Sequence, residues 1–250
     1  MGGSENAGAA GSGDAVGSLI HRYSFDGTGA VAEDSVGDAD GTVVNGTLEG
    51  GSVSVADDTI SGNQELDQFV DLPNQLVSTL RNATLEVWLT WAGGAPWERI
   101  LDFGDDTSGV EGVRSQGNGK TYLFVTPQTP TAKGAVLRVA FQAAMIHEVQ
   151  LDAKRAVPQG VKTHVAVVVD SDAGQMLVYM NGALENSMAF PADSLALIHD
   201  VNNWLGRSNY FYDPCFTGTF HEFRVYSAAL NAAQIRRSYE AGEGAPLPGF

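Results

Sequence analysis

A single cysteine, Cys215, stands in 250 residues. That excludes an intrachain disulfide framework and any centre built from several thiolates, such as structural zinc or an iron–sulfur cluster. Positive charge is scarce as well: 14 lysines and arginines face 30 aspartates and glutamates, a net charge of −16. A field of that sign repels phosphates, so nucleic acid and anionic lipid are poor partners. No apolar run approaches the roughly 18 to 20 residues that span a bilayer, and membrane insertion is not expected. The opening MGGSENAGAAGSGDAVGS, residues 1–18, lacks both a basic n-region and an apolar h-region, so it is not an intact signal peptide. Its Gly, Ala and Ser predict a flexible leader, either the mature start of an exported protein or an added linker.

What the chain does have is a core-forming composition, 43% hydrophobic and only 18% charged. A chain of this length should bury roughly 70% of its unfolded surface without staples. Beyond Ser18 short apolar stretches are punctuated by Gly, Asn and Asp. Leu85, Val87, Leu89 and Trp91 alternate with Thr84, Glu86, Trp88 and Thr90, which predicts a strand with one core face. Val165 to Val169 is a continuous apolar run, β-branched except at Ala166, as in a strand covered on both faces. Asn181-Gly182 tolerates the positive φ angles of a tight hairpin, so Val165 to Asn186 reads as strand, turn, strand, turn, strand. Further strands are expected at residues 19–25, 68–72, 99–103, 122–125, 137–141, 148–151 and 216–226.

One segment is different. Asn231 as N-cap, Gln234 three residues on, and Leu230 with Ile235 as a staple predict a short helix over 231–241, ended at Gly242. The organisation expected is a leader (1–18), one β-sandwich domain (19–242) and a tail (243–250) carrying Pro246 and Pro248.

Several apparent motifs fail on counting. Gly117-Asn-Gly-Lys-Thr121 has Arg114 where a phosphate loop needs its first glycine. Gly206-Arg-Ser208-Asn-Tyr210 lacks the second glycine of a nucleophile elbow. Asp38-Ala-Asp40-Gly41 has Val36 at the first ligand position of an EF-hand loop. Glu65-Leu-Asp67 starts like the carboxylate strand of some glycosidases, but Val70 stands where the second glutamate belongs. His21, His147, His164, His199 and His221 show no metal-ligand spacing and are expected to be structural. Asn45-Gly-Thr47 and Asn82-Ala-Thr84 fit the glycosylation triplet, a pattern short enough to occur by chance.

Binding chemistry remains. Trp97, Trp204, Tyr210, Phe211 and Tyr212 fall in or beside expected loops, flanked by Asn202, Asn203, Asn209 and Asp213. Aromatic faces stack on the C–H face of sugar rings, and Asn and Asp supply directional hydrogen bonds. The candidate carbohydrate-binding set is Trp97, Trp204, Asn209, Tyr210, Tyr212 and Asp213. The competing expectation for each ring is that it plugs an end of the sandwich.

His21-Arg-Tyr-Ser-Phe-Asp-Gly27, Glu33-Asp-Ser-Val-Gly37, Asp40-Gly-Thr42, Phe69-Val-Asp-Leu-Pro73 and Thr84-Leu-Glu-Val-Trp88 form one set of segments. Thr163-His-Val-Ala166, Val178-Tyr-Met-Asn-Gly182, Asn203-Trp-Leu-Gly-Arg-Ser208 and above all Gly218-Thr-Phe-His-Glu-Phe-Arg-Val-Tyr226 form another. In combination the two sets resemble the laminin-G-like, concanavalin A-like domains of bacterial surface and secreted proteins, over about 19–242. The resemblance implies a jelly roll of two antiparallel sheets, all-β apart from one short C-terminal helix, with first and last strands adjacent. The chain departs from that pattern at His221, often Asp in the family, and at Lys162, often Trp.

A structural calcium is the cofactor expected, on Asp26 after the first strand, Asp34 in the next loop, and Glu222 in the last strand, which the resemblance sets beside the first. The alternative is that Asp26 and Asp34 bond turn backbone and Glu222 pairs with an arginine. The leading functional expectation is a non-catalytic carbohydrate-binding or adhesive module, secreted or at the cell surface, whose partner is a polysaccharide or glycan. The alternatives are a module binding a protein surface, and a polysaccharide hydrolase or lyase with an unrecognised site.

Overall fold

The computed structural model describes residues 18–57, 64–114 and 117–245. Residues 1–17 of the expected leader and 246–250 of the expected tail, with Pro246 and Pro248, lie outside the described residues. In chain order the strands are β1 (Leu19–Tyr23), β2 (Val31–Ala32), β3 (Gly41–Val44), β4 (Thr47–Glu49), β5 (Ser52–Val55), β6 (Phe69–Leu72), β7 (Ala83–Trp91) and β8 (Leu101–Asp106). They continue with β9 (Gly119–Thr131), β10 (Gly134–Ala143), β11 (Ile146–Asp152), β12 (Lys162–Asp170), β13 (Gln175–Met180), β14 (Ala183–Ala189), β15 (Asn202–Leu205) and β16 (Gly218–Tyr226), and α1 spans Ala232–Ala241.

These strands form two antiparallel sheets. One runs β14-β13-β12-β7-β16-β5-β4, with β1 also paired to β16; the other runs β11-β10-β9-β8-β15-β6-β3-β2. First and last strands are neighbours, with Arg22 opposite Arg224 and Tyr23 opposite Phe223. The hairpin between β13 and β14 turns on Asn181 and Gly182, both at positive φ (52° and 72°), the backbone that an Asn-Gly pair accepts most readily.

Alternate residues of both sheets meet in the core. Leu85, Val87, Val165, Val167, Phe223 and Val225 pack toward the second sheet's Leu101, Phe103, Leu123, Val125 and Leu205. Phe103 meets Phe223 edge-on at 5.9 Å.

The expectation of one core face for β7 needs correction. Glu86, Thr84 and Trp88 are buried too. Helix α1 covers that outer face: Ala166, Val168, Tyr179 and Tyr226 cluster with Leu230 and Ile235. The helix begins as expected, Asn231 accepting from the Ala233 and Gln234 amides while Gln234 reaches back to the Asn231 amide.

Under the helix runs a buried charge network. Glu222 Oε1 accepts from Arg22 Nε at 2.8 Å, Oε2 accepts from Arg22 Nη2 at 3.1 Å, and Arg224 Nε donates to the same carboxylate. Arg224 also reaches Ser238 Oγ and the Gly242 carbonyl, both at 3.2 Å, which ties the helix to β16. Ser238 in turn donates to Glu86 at 2.7 Å. Burial opposes the Glu222 charge, but the Arg22 hydrogen bond and the Arg224 charge hold its carboxyl below the usual range. That stability is present above the ordinary glutamate range and is lost as pH falls through the lowered value.

Because Arg224 is the cation between two buried carboxylates, Arg224→Met should destabilise the fold by about 3–5 kcal/mol. Urea unfolding checks this as a lower midpoint at unchanged slope.

Candidate functional site

The outer face of the second sheet is covered differently. Tyr122, Phe124 and Ala140 form a small cluster there, capped by Tyr210 from the segment after β15 rather than by a helix. Asp102 holds that segment down. Its Oδ2 accepts from the Asn209 amide at 3.0 Å, and its Oδ1 from Asn209 Nδ2 at 2.9 Å. Asn202 Nδ2 then donates to Asn209 Oδ1 at 3.0 Å. Burial raises the Asp102 carboxyl, opposed by the Arg99 charge and the Asn209 hydrogen bonds.

Arg99 is the second anchor. Its guanidinium lies 3.9 Å from the Phe124 ring centroid, with Nε 3.3 Å from Asp102. Nη2 donates to Asp213 Oδ2 and Nη1 to the Trp97 carbonyl, both at 2.5 Å. One buried cation thus fixes both Trp97 and Asp213. Trp97 itself sits at φ 76°, a left-handed backbone that bulky residues rarely adopt unless the surroundings impose it. The neighbouring Glu98 helps impose it by accepting from Trp91 Nε1 at 2.7 Å and the Thr217 amide at 3.3 Å.

Tyr210 is positioned by hydroxyls. Its O–H donates to Tyr122 at 2.9 Å, and Tyr122 donates to Glu148 at 2.5 Å. Gly119 leaves room for the pair: a Cβ there would lie 2.8 Å from the Tyr210 ring. The result is a hollow of about 210 Å³ lined by Trp97, Arg99, Phe124, Glu148, Tyr210 and Asp213. A second depression, of about 430 Å³ beside α1, is lined by Trp88, His164, Tyr239, Gly242, Lys162 and Glu243. There Lys162 pairs with Glu243, and Trp88 already packs 4.4 Å from both His164 and Arg224. The first hollow brings Trp97 and Tyr210, both half-buried, to one concavity with two carboxylates.

Of the six residues proposed for carbohydrate, Trp97, Tyr210 and Asp213 converge on this hollow. Tyr212 is 80% exposed beside it in sequence, stacked edge-on with Phe211 at 4.9 Å. Trp204 and Asn209 are fully buried, which corrects their placement in the binding set. Trp204 lies in β15, donates from Nε1 to Asp71 at 2.9 Å, and is covered by Arg207 at 4.3 Å and Phe69 at 5.6 Å. Sequence reasoning missed Arg99, Phe124 and Glu148, which sit in or beside strands rather than in an aromatic cluster. The pleat held the signal, since Tyr122 and Phe124 share one face of β9.

The three carboxylates expected to hold calcium do not converge. Asp34 accepts from the amides of Arg22, Gly37, Val36 and Ala39 and from His21 Nδ1. Glu222 is taken by two guanidinium groups and the Gly244 amide, and Asp26 is exposed. A carboxylate surrounded by donors does not fit a cation cage, and among the described residues no group of three or more His, Cys, Asp or Glu could hold a metal. Asp67 of the glycosidase-like stretch is likewise occupied, accepting from Arg114 and Arg207 at 2.9 Å each. The amides of Asn45 and Asn82 donate internally, to the Glu65 carbonyl and to Asp172. Cys215 is a free, buried thiol, pushed up to about 12 chiefly by burial.

The chain belongs to the concanavalin A-like lectin/glucanases superfamily, whose laminin G-like family model matches residues 61–236. Its fold is similar to domain 4 of AbnA, a GH43 extracellular arabinanase from Geobacillus stearothermophilus in complex with arabinotriose. There the TM-score is 0.60 at 24% identity, over 88% of this chain and 98% of that one. It is also similar to the Ruminococcus gnavus IT-sialidase CBM40 bound to α2,3-sialyllactose (TM-score 0.55, 14% identity, 74% of this chain and 95% of that one). The binding domain of botulinum neurotoxin DC in complex with SialylT gives a TM-score of 0.62 at 11% identity, covering 89% of this chain and 51% of that one. No curated protein sequence matches the chain significantly.

Glu98 supplies a pH test of the loop that carries Trp97. Burial raises its carboxyl to about 7, against hydrogen bonds from Trp91, Thr217 and Ala95. The folded state therefore holds a proton that the unfolded chain releases at lower pH. This stabilising contribution is complete below the ordinary glutamate range and is lost as pH rises through about 7. Glu98→Gln keeps one carbonyl oxygen for Trp91 and Thr217, which share Oε2, so its stability relative to the unsubstituted protein should rise between pH 5 and pH 8. Denaturant midpoints measured at both values check this, and a pH-independent difference contradicts it.

Proposed function

We propose that this domain is a non-catalytic carbohydrate-binding module of an exported protein, and that the hollow on the second sheet is where a glycan docks. One observation carries the reading: half-buried Trp97 and Tyr210 wall a concavity that also holds Asp213 and Glu148. Aromatic walls supply stacking surface for the C–H face of a sugar, and carboxylates accept its hydroxyls. The site is also built in advance, by Arg99 on Trp97 and Asp213 and by Tyr122 on Tyr210. Preorganised side chains lose little entropy on binding. Two of the similar folds, the arabinanase domain with arabinotriose and the CBM40 with sialyllactose, carry sugars. An extracellular setting, as for that arabinanase, and a role in adhesion to glycan-bearing surfaces are part of the same proposal.

Isothermal titration with soluble polysaccharides and their oligosaccharides tests it. Trp97→Ala or Tyr210→Ala should weaken binding by about 1–3 kcal/mol. Trp204→Ala should instead cost about 3–5 kcal/mol of stability, as a core deletion does. Unchanged affinity in both hollow variants, with the fold intact, contradicts the assignment.

A further inference from the structure

We infer that the hollow selects uncharged sugar chains and rejects acidic ones, because its one cation, Arg99, is buried and paired with carboxylates while the Glu148 carboxylate faces it without a cation. The inference rests on the carbohydrate reading and concerns which class of glycan that site takes.

An acidic sugar is held by a guanidinium or ammonium group with donors to spare. Arg99, the one cation in the lining, does not offer this: its side chain is 1% exposed and its charge is answered by Asp102 and Asp213. Its Nη1 and Nη2 serve the Trp97 carbonyl and Asp213, its Nε faces Asp102, and its plane lies on Phe124. Arg138, 5.8 Å from the Trp97 ring, is engaged by Asp152 through both Nε (2.6 Å) and Nη2 (3.0 Å). Lys120, two residues before Tyr122 on β9, lines no part of the hollow.

The anions are placed otherwise. Glu148 is exposed, accepts from Tyr122 and Gln150, and makes no ion pair among the described residues. These are neutral donors, so they leave its charge facing any ligand. Asp213 is compensated by Arg99, while Asp102 behind it adds a further negative charge. The whole molecule, at −16, adds repulsion of the same sign. A neutral sugar meets none of this and can donate its hydroxyls to Glu148 in a charge-assisted hydrogen bond.

The test is a glycan array probed with the full chain at low and high salt. It carries neutral arabino-, xylo-, gluco- and galacto-oligosaccharides beside oligogalacturonate, hyaluronan fragments and sialyllactose. The expected positives are uncharged. The best of them should bind at least roughly tenfold tighter than its acidic counterpart, and the gap should narrow at high salt, where surface charge is screened. Glu148→Gln, which keeps an acceptor for Tyr122, should narrow the gap at low salt as well. Equal or tighter binding of an acidic glycan, lost in Trp97→Ala, overturns the inference and leaves the carbohydrate reading standing. Binding to no glycan at all, by a chain whose melting shows it folded, removes the reading and the inference together.

Discussion

The Arg99 guanidinium, buried against Phe124 between Asp102 and Asp213, is the interaction on which the proposed binding face depends. It sits where the chain enters β8 and touches the segment after β15, more than a hundred residues later. Without it Asp102 would be a fully buried anion lacking a counter-charge, a situation worth several kcal/mol against folding. The same side chain holds the Trp97 carbonyl while Trp97 adopts a backbone that is otherwise unfavourable. A structural requirement and the geometry of the proposed site are met by one residue.

The opposite face of the sandwich solves the same problem with a different result. There Arg224 lies between Glu222 and Glu86, and its remaining donors go to Ser238 and the end of α1. The outer face of β7 is covered by the helix, with Glu86 accepting from Ser238 of that helix. On the second sheet the cover is a loop, so Tyr122 and Phe124 are buried while Trp97 and Tyr210 remain half-buried at a concavity. The two faces therefore differ in what covers each sheet, and the proposed site lies on the one covered by a loop.

Much of this architecture was legible in the sequence. The valine-rich run at Val165–Val169, the Asn181-Gly182 turn and the Asn231/Gln234 capping box are local signals, and each formed as expected. Strands β2 to β5 were not anticipated. They are two to four residues long and too short to show a period. Strand β15 was missed because Asn202-Asn203 reads as a loop, yet both asparagines are buried and bonded, to the Gly112 amide and the Pro73 carbonyl among others. That one error carried Trp204 into the binding set. Glu148 was invisible for a different reason, since its meaning comes from Tyr122 on a neighbouring but non-adjacent strand. The calcium expectation rested on counting carboxylates, and the arginines that answer Glu222 lie on either side of a pairing between the chain's two ends.

The four tryptophans offer a direct readout of the central claim. Trp97 borders the proposed glycan site, Trp88 the depression beside the helix, and Trp91 and Trp204 are buried with their indole N–H groups bonded to Glu98 and Asp71. Nitrogen-15 spectra of the indole N–H groups, recorded during titration with a binding oligosaccharide, separate them. The account predicts a saturable shift of the Trp97 signal with little movement of the other three. A shift confined to Trp88 would place the ligand on the helix-covered sheet and contradict it.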